Sequence, residues 1–95
     1  MTVTVDAPTP VLAITARSDL TTIEQIVREA AAALRETARR LELTASESVF
    51  RVHHTDAGVV EVCLPVSALP EVDPPPPVAA EMLVPGTVIE ALDGI

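Results

Sequence analysis

Glu61 lies in the run Val60-Glu61-Val62-Cys63-Leu64, a carboxylate among apolar residues. Burying such a group is costly unless a partner answers its charge. It could receive a cationic ligand. The plainer alternative is a solvent-facing residue on an open sheet face. His53 and His54 are adjacent, so on a strand their rings point to opposite faces and cannot chelate one metal together. One of them near Glu61 could do acid–base work or sense pH, although no positioned nucleophile accompanies it. Cys63 is the only cysteine, with no basic neighbour in sequence to lower its pKa, so a packed apolar side chain is its default role. Arg51 could pair with Glu61 across a hairpin, which would neutralise the carboxylate as a ligand site. Phe50, the only aromatic, completes the candidate ligand-binding set of Glu61, Arg51, His53, Cys63 and Phe50. No catalytic or metal-binding set is evident.

These residues need a scaffold. Thr2 to Val5 alternates, Asp6-Ala7-Pro8-Thr9-Pro10 interrupts, and Val11 to Ala16 resumes as a strand apolar enough to be central. Thr21 and Glu24 have capping-box spacing. Ile23, Val27, Ala30, Leu34, Ala38 and Leu41 then recur at steps of three and four, predicting one amphipathic helix from about Thr22 to Leu43. Glu24 with Arg28, and Glu36 with Arg40, are spaced for ion pairs on its outer face. Val49 to His54 and Val59 to Val66 read as strands joined across Thr55-Asp56-Ala57-Gly58. Alternation puts Val60, Val62, Leu64 and Val66 on one face, and Glu61 and Cys63 on the other. By the same rule Phe50, Val52 and His54 separate from Val49, Arg51 and His53. The stretch Ser67 to Pro77, with four consecutive prolines, predicts a stiff connector. Met82 to Leu92 is a second broken apolar run. Sliding the chain by 75 positions aligns Pro10 with Pro85, Ile14 with Ile89 and Ala16 with Ala91, as in the start of a second copy.

Composition narrows the function. Ninety-five residues suit one small core. A formal net charge of -8 and the near absence of aromatics argue against nucleic acid, whose recognition needs basic patches and base stacking. The field suits cationic or neutral small molecules, or a basic protein surface, while its plainest role is solubility. One cysteine excludes an internal disulfide. The N-terminal residues show no signal-peptide pattern and no apolar stretch is long enough to span a bilayer, so a soluble, cytoplasmic protein is expected.

The segments 6–14 and 61–66, with the long helix after Leu20 between them, resemble the GyrI-like effector-binding domain, the ligand-sensing part of many MerR-type transcription regulators. The resemblance implies two βαββ modules flanking a cleft, and a carboxylate that answers hydrophobic, often cationic, ligands. Two departures stand out. Ser18-Asp19-Leu20 replaces the usual Gly-Pro-Tyr-like turn, and the second module's helix and hairpin do not follow.

The expected fold is α+β: a βαββ module over residues 1–66, a proline-rich linker over 67–77, and a C-terminal strand segment over 78–95 that resembles the start of a second module. The sheet face away from the helix is too apolar to remain wet, which predicts a homodimer. The expected function is binding or sensing of a hydrophobic, cationic small molecule. The alternatives are a small hydrolase of the same fold and an acidic protein-interaction or inhibitory module. No cofactor, nucleic-acid partner or membrane association is expected.

Overall fold

A computed structural model describes residues 2–17, 23–54 and 58–92. They form an α+β fold in which one amphipathic helix packs on a six-stranded antiparallel sheet. The strands are β1 (Thr2–Thr4), β2 (Thr9–Arg17), β3 (Phe50–Val52), β4 (Val59–Pro65), β5 (Ala79–Leu83) and β6 (Val88–Ala91), and the helix is α1 (Ile23–Arg40). Their spatial order is β1-β6-β3-β4-β2-β5. The capping pair at Thr21 and most of the hairpin loop, residues 55–57, lie outside the described residues.

The expected stripe of α1 is its buried face: Val27, Ala30, Leu34 and Ala38 face the sheet, with Ala31 beside them. Small alanines let the helix approach β2 and β4 closely, where Leu12, Ile14, Val60, Val62 and Leu64 complete this core. On the outer face Arg28 donates to Glu24 at 3.0 Å and Arg40 to Glu36 at 3.0 Å. The helix ends at Arg40, short of the expected Leu43. Glu42 adopts φ 56°, while the Leu43 N–H bonds the Ala38 carbonyl at 2.9 Å and the Glu42 N–H bonds the Arg39 carbonyl at 3.2 Å. These two bonds form a Schellman termination, built on a glutamate where glycine is the usual residue. No helix among the described residues is long and apolar enough to cross a membrane.

The segment after the proline connector forms two strands rather than one. β5 adds to β2 at one edge, and β6 inserts between β3 and β1 near the other. Residues 78–92 therefore extend the same sheet that carries the helix.

This connectivity forces the sheet to curl. β5 and β6 are four strand positions apart, about 19 Å in a flat sheet. Yet the Thr87 N–H bonds the Val84 carbonyl at 3.2 Å, closing a turn that keeps the facing strand ends within about 15 Å. The short link from β1 to β2 spans the same four positions, and lies against that turn. Val5 donates its N–H to the Thr87 carbonyl and accepts from the Gly86 N–H, both at 2.9 Å. The sheet is thus rolled like an open barrel, with α1 outside and the opposite face turned inward.

That inner face is buried within the single chain. Val5, Val11, Ala13, Val52, Cys63, Leu83 and Ile89 form a second core, with Phe50 packed against it. The apolar face that motivated a homodimer is thereby covered without a second copy.

Candidate functional site

β4 positions the candidate site. Its alternation sends Val60, Val62 and Leu64 to the helix and Glu61 and Cys63 to the curled interior. Glu61 lies opposite Thr15 of β2 on one side and Val52 of β3 on the other. It is only 8% exposed and is the one charged side chain among the buried described residues. A carboxylate at that depth requires hydrogen-bond donors.

Two side chains meet it. The His54 Nε2 lies 2.7 Å from Glu61 Oε1, with His54 two residues beyond Val52 and at the rim of the interior. When Glu61 is ionised, the ring must donate through Nε2 in this contact. The second partner is Glu81 of β5, whose carboxyl group hydrogen-bonds Glu61. β5 is separated from β4 by β2, so the bond spans the concave face of β2 diagonally. Ala13, which is opposite both Cys63 and Ala79, lies on that diagonal and leaves room for the two carboxyl groups.

Two carboxyl groups in hydrogen-bond contact share a proton more readily than they both ionise. The bond to Glu61, then partial burial, then the Glu61 charge raise the Glu81 pKa from 4.5 to about 7. Glu81 therefore keeps its proton to higher pH than an ordinary carboxyl group, and in its acid form it donates to Glu61. Burial, followed by the charges of Glu61 and Glu81, pushes the Cys63 thiol up to about 12. Cys63 is accordingly a neutral, fully buried side chain, which removes the thiolate a nucleophilic role would need.

The five sequence-derived candidates divide between the two faces. Glu61, Cys63 and Phe50 share the interior, where Phe50 is directly opposite Cys63. Arg51 and His53 belong to the outer face. Arg51 is opposite Val62 and Glu90, so the expected Arg51–Glu61 pair across the hairpin does not form. It lines a separate groove of about 340 Å³ with Ile23, Val27 and Leu92. The His53 ring lies 3.4 Å from a Glu90 oxygen. The register pairs Val52, not Arg51, with Glu61, and one position reverses the face.

Glu81 was not singled out by sequence, and His54 rather than His53 is the histidine at the carboxylate. The alternation Phe50, Val52, His54 already carried the second point once β3 was set against Glu61. Glu81 had no such signal, because nothing local in Ala79-Ala80-Glu81-Met82-Leu83 says that β5 will pair with β2.

Among the described residues, no group of three or more His, Cys, Asp or Glu side chains is arranged to hold a metal ion. The buried carboxylate at the rim of this core can hold and exchange a proton and can accept hydrogen bonds. No family model, curated protein or solved structure matches this chain, so nothing in these comparisons identifies a GyrI-like domain.

Proposed function

We propose that the protein is a small-molecule binding module for hydrophobic ligands that carry a positive charge, with Glu61 as the counter-charge. The observation that supports this reading is a nine-tenths-buried carboxylate in an apolar interior, held by one titrating carboxyl group and one histidine at the rim. Such a group can exchange a proton and a neutral or weakly charged donor for a ligand cation without being left unpaired. The apolar lining supplies the remaining affinity through surface burial, about 25 cal/mol per Å². The resemblance of segments 6–14 and 61–66 to GyrI-like domains points the same way. The net charge of -8 favours the approach of cations over that of anions.

The test is calorimetric titration of benzyltrimethylammonium, benzamidinium and tetraphenylphosphonium into the wild-type protein and Glu61→Gln. Calorimetry is suitable because the chain has no tryptophan or tyrosine to report binding by fluorescence. Binding of at least one cation, weakened about tenfold or more by Glu61→Gln, is expected. Absence of binding, or equal binding by both proteins, would sink the proposal.

A further inference from the structure

We propose that the groove beside Arg51, on the helix-bearing face of the sheet, binds an α-amino acid with an apolar side chain. The inference rests on two opposite charges that face each other without joining. Arg51 of β3 and Glu90 of β6 are direct partners in the strand register. Unlike charges so placed ordinarily pair. Here no side-chain hydrogen bond or ion pair joins them, and among the described residues Arg51 has no such partner. Its side chain is nonetheless half-buried and lines the groove. Among the described residues no partnerless side-chain nitrogen is fully buried, so the Arg51 donors remain reachable. A guanidinium withdrawn from much of the solvent, with its donors unmet by protein, is stabilised by an acceptor that enters beside it.

The groove follows from how the helix lies. α1 packs over β4 and β2, which leaves the outer face of β3 and β6 open beside its first turns. Ile23 and Val27 form the helix wall, and Leu92 lies just past the end of β6. The Leu92 N–H bonds the Val49 carbonyl at 3.0 Å, which holds this residue in line with β3. Val27 belongs to the helix-side core, and Ile23 and Leu92 pack against it, so the apolar wall is fixed in place. The volume is about 340 Å³. That is near the small end for ligand sites, which run from about 300 to 1,000 Å³.

Charge selects the class of ligand. Glu24, on the helix side, is already paired with Arg28 at 3.0 Å. The Glu90 carboxylate has the His53 ring 3.4 Å from Oε1, longer than the usual N–H···O separation of about 2.7–3.2 Å. A simple carboxylate would answer Arg51 but set a second negative charge beside Glu90. The net charge of -8 also disfavours the approach of an anion. A simple cation would answer Glu90 and be repelled by Arg51. A net-neutral ligand with both charges close together meets both residues. An α-amino acid carries its carboxylate and ammonium on one carbon, and directly opposed strand residues have Cβ atoms about 4.5–5.5 Å apart. In this arrangement the Arg51 fork donates to the ligand carboxylate and the ligand ammonium donates to Glu90. The ligand side chain lies against Ile23, Val27 and Leu92. This groove is on the opposite sheet face from Glu61, so the inference is independent of the cation-binding reading.

The test is an amide NMR titration of the wild-type protein with L-leucine, L-methionine and L-phenylalanine. At least one is expected to give saturable shifts at the Arg51, Glu90 and Leu92 amides while those of β5 hold. Its counterparts lacking the ammonium or the carboxylate (for leucine, 4-methylpentanoate and 3-methylbutylamine) are each expected to bind about tenfold more weakly or worse. Arg51→Gln and Glu90→Gln are each expected to weaken binding by about tenfold or more, with the rest of the amide spectrum unchanged. No saturable shift with any of the three amino acids would overturn the proposal, as would shifts centred on Glu61 and His54. Equal binding of either counterpart would overturn it too, and that comparison uses the wild type alone, so it decides the matter even where a variant fails to fold.

Discussion

Cys63 illustrates how completely position sets a side chain's chemistry. The same thiol at the surface would ionise near pH 8.5, but here it sits between Ala13 and Phe50 with two carboxyl groups near it. Apolar surroundings and negative charge both oppose thiolate formation. Iodoacetamide at pH 8 should therefore modify the native protein at least a hundredfold more slowly than the urea-unfolded chain, as measured by mass spectrometry over time. Rapid native modification would mean that Cys63 is neither neutral nor enclosed. Glu61 presents the opposite lesson. Its valine neighbours mark it in the sequence as unusual, and the structure supplies the partners that make its burial tolerable. One of these, His54, follows from strand alternation. Glu81 does not, because its relation to Glu61 exists only after two distant strands have both added to β2.

At the scale of elements, α1 was the most legible because its pattern is local. Side chains three and four residues apart must share a face, and the stripe from Ile23 to Ala38 obeys that rule. Its end was less legible. Nothing in Leu41-Glu42-Leu43 announces a stop, and the turn is made by Glu42 in a left-handed conformation. A side chain there costs about 1 kcal/mol relative to glycine. Glu42→Gly should consequently stabilise the fold by about 1 kcal/mol in urea denaturation, provided the Schellman bonds persist. A loss of stability would show that the Glu42 side chain has a role beyond completing this turn. The strands divide similarly. Their alternation assigns faces within each strand, but neighbours in the sheet are fixed by long-range pairing. This is why Arg51 could be expected beside Glu61 and yet lies on the opposite face.

For the molecule as a whole, the carboxyl pair links stability to pH with a definite sign. The Glu81 pKa is higher in the folded protein, about 7, than the ordinary 4.5 of an unfolded chain. Its favourable contribution is fully present below pH 4.5, declines as pH rises, and is lost once pH exceeds about 7. Solvent screening of this partly exposed group limits the loss to about 1–2 kcal/mol. Urea melts between pH 5 and pH 8 should show that decline in the wild type and a flatter profile in Glu81→Gln. Matching profiles would place the pH dependence in other groups. The curled architecture also explains why the inner face needs no second copy. Two short links, one at each side of the sheet order, draw the edges towards one another and enclose the apolar residues between them.

Those links also impose an order in time. Among the described residues β1 has one strand partner, β6, and their register brings Thr2 opposite Glu90. During synthesis β1 must wait for residues 88–90, made more than eighty residues later, before gaining a ladder. Helix α1 can form early from local contacts, whereas loop-closure entropy delays the final joining of β1 to β6. Until then the Val5 backbone lacks the Gly86 and Thr87 contacts that hold the turn, and the interior around Glu61 stays open to water. The enclosed inner core is thus completed only once β6 has been made and has joined β1.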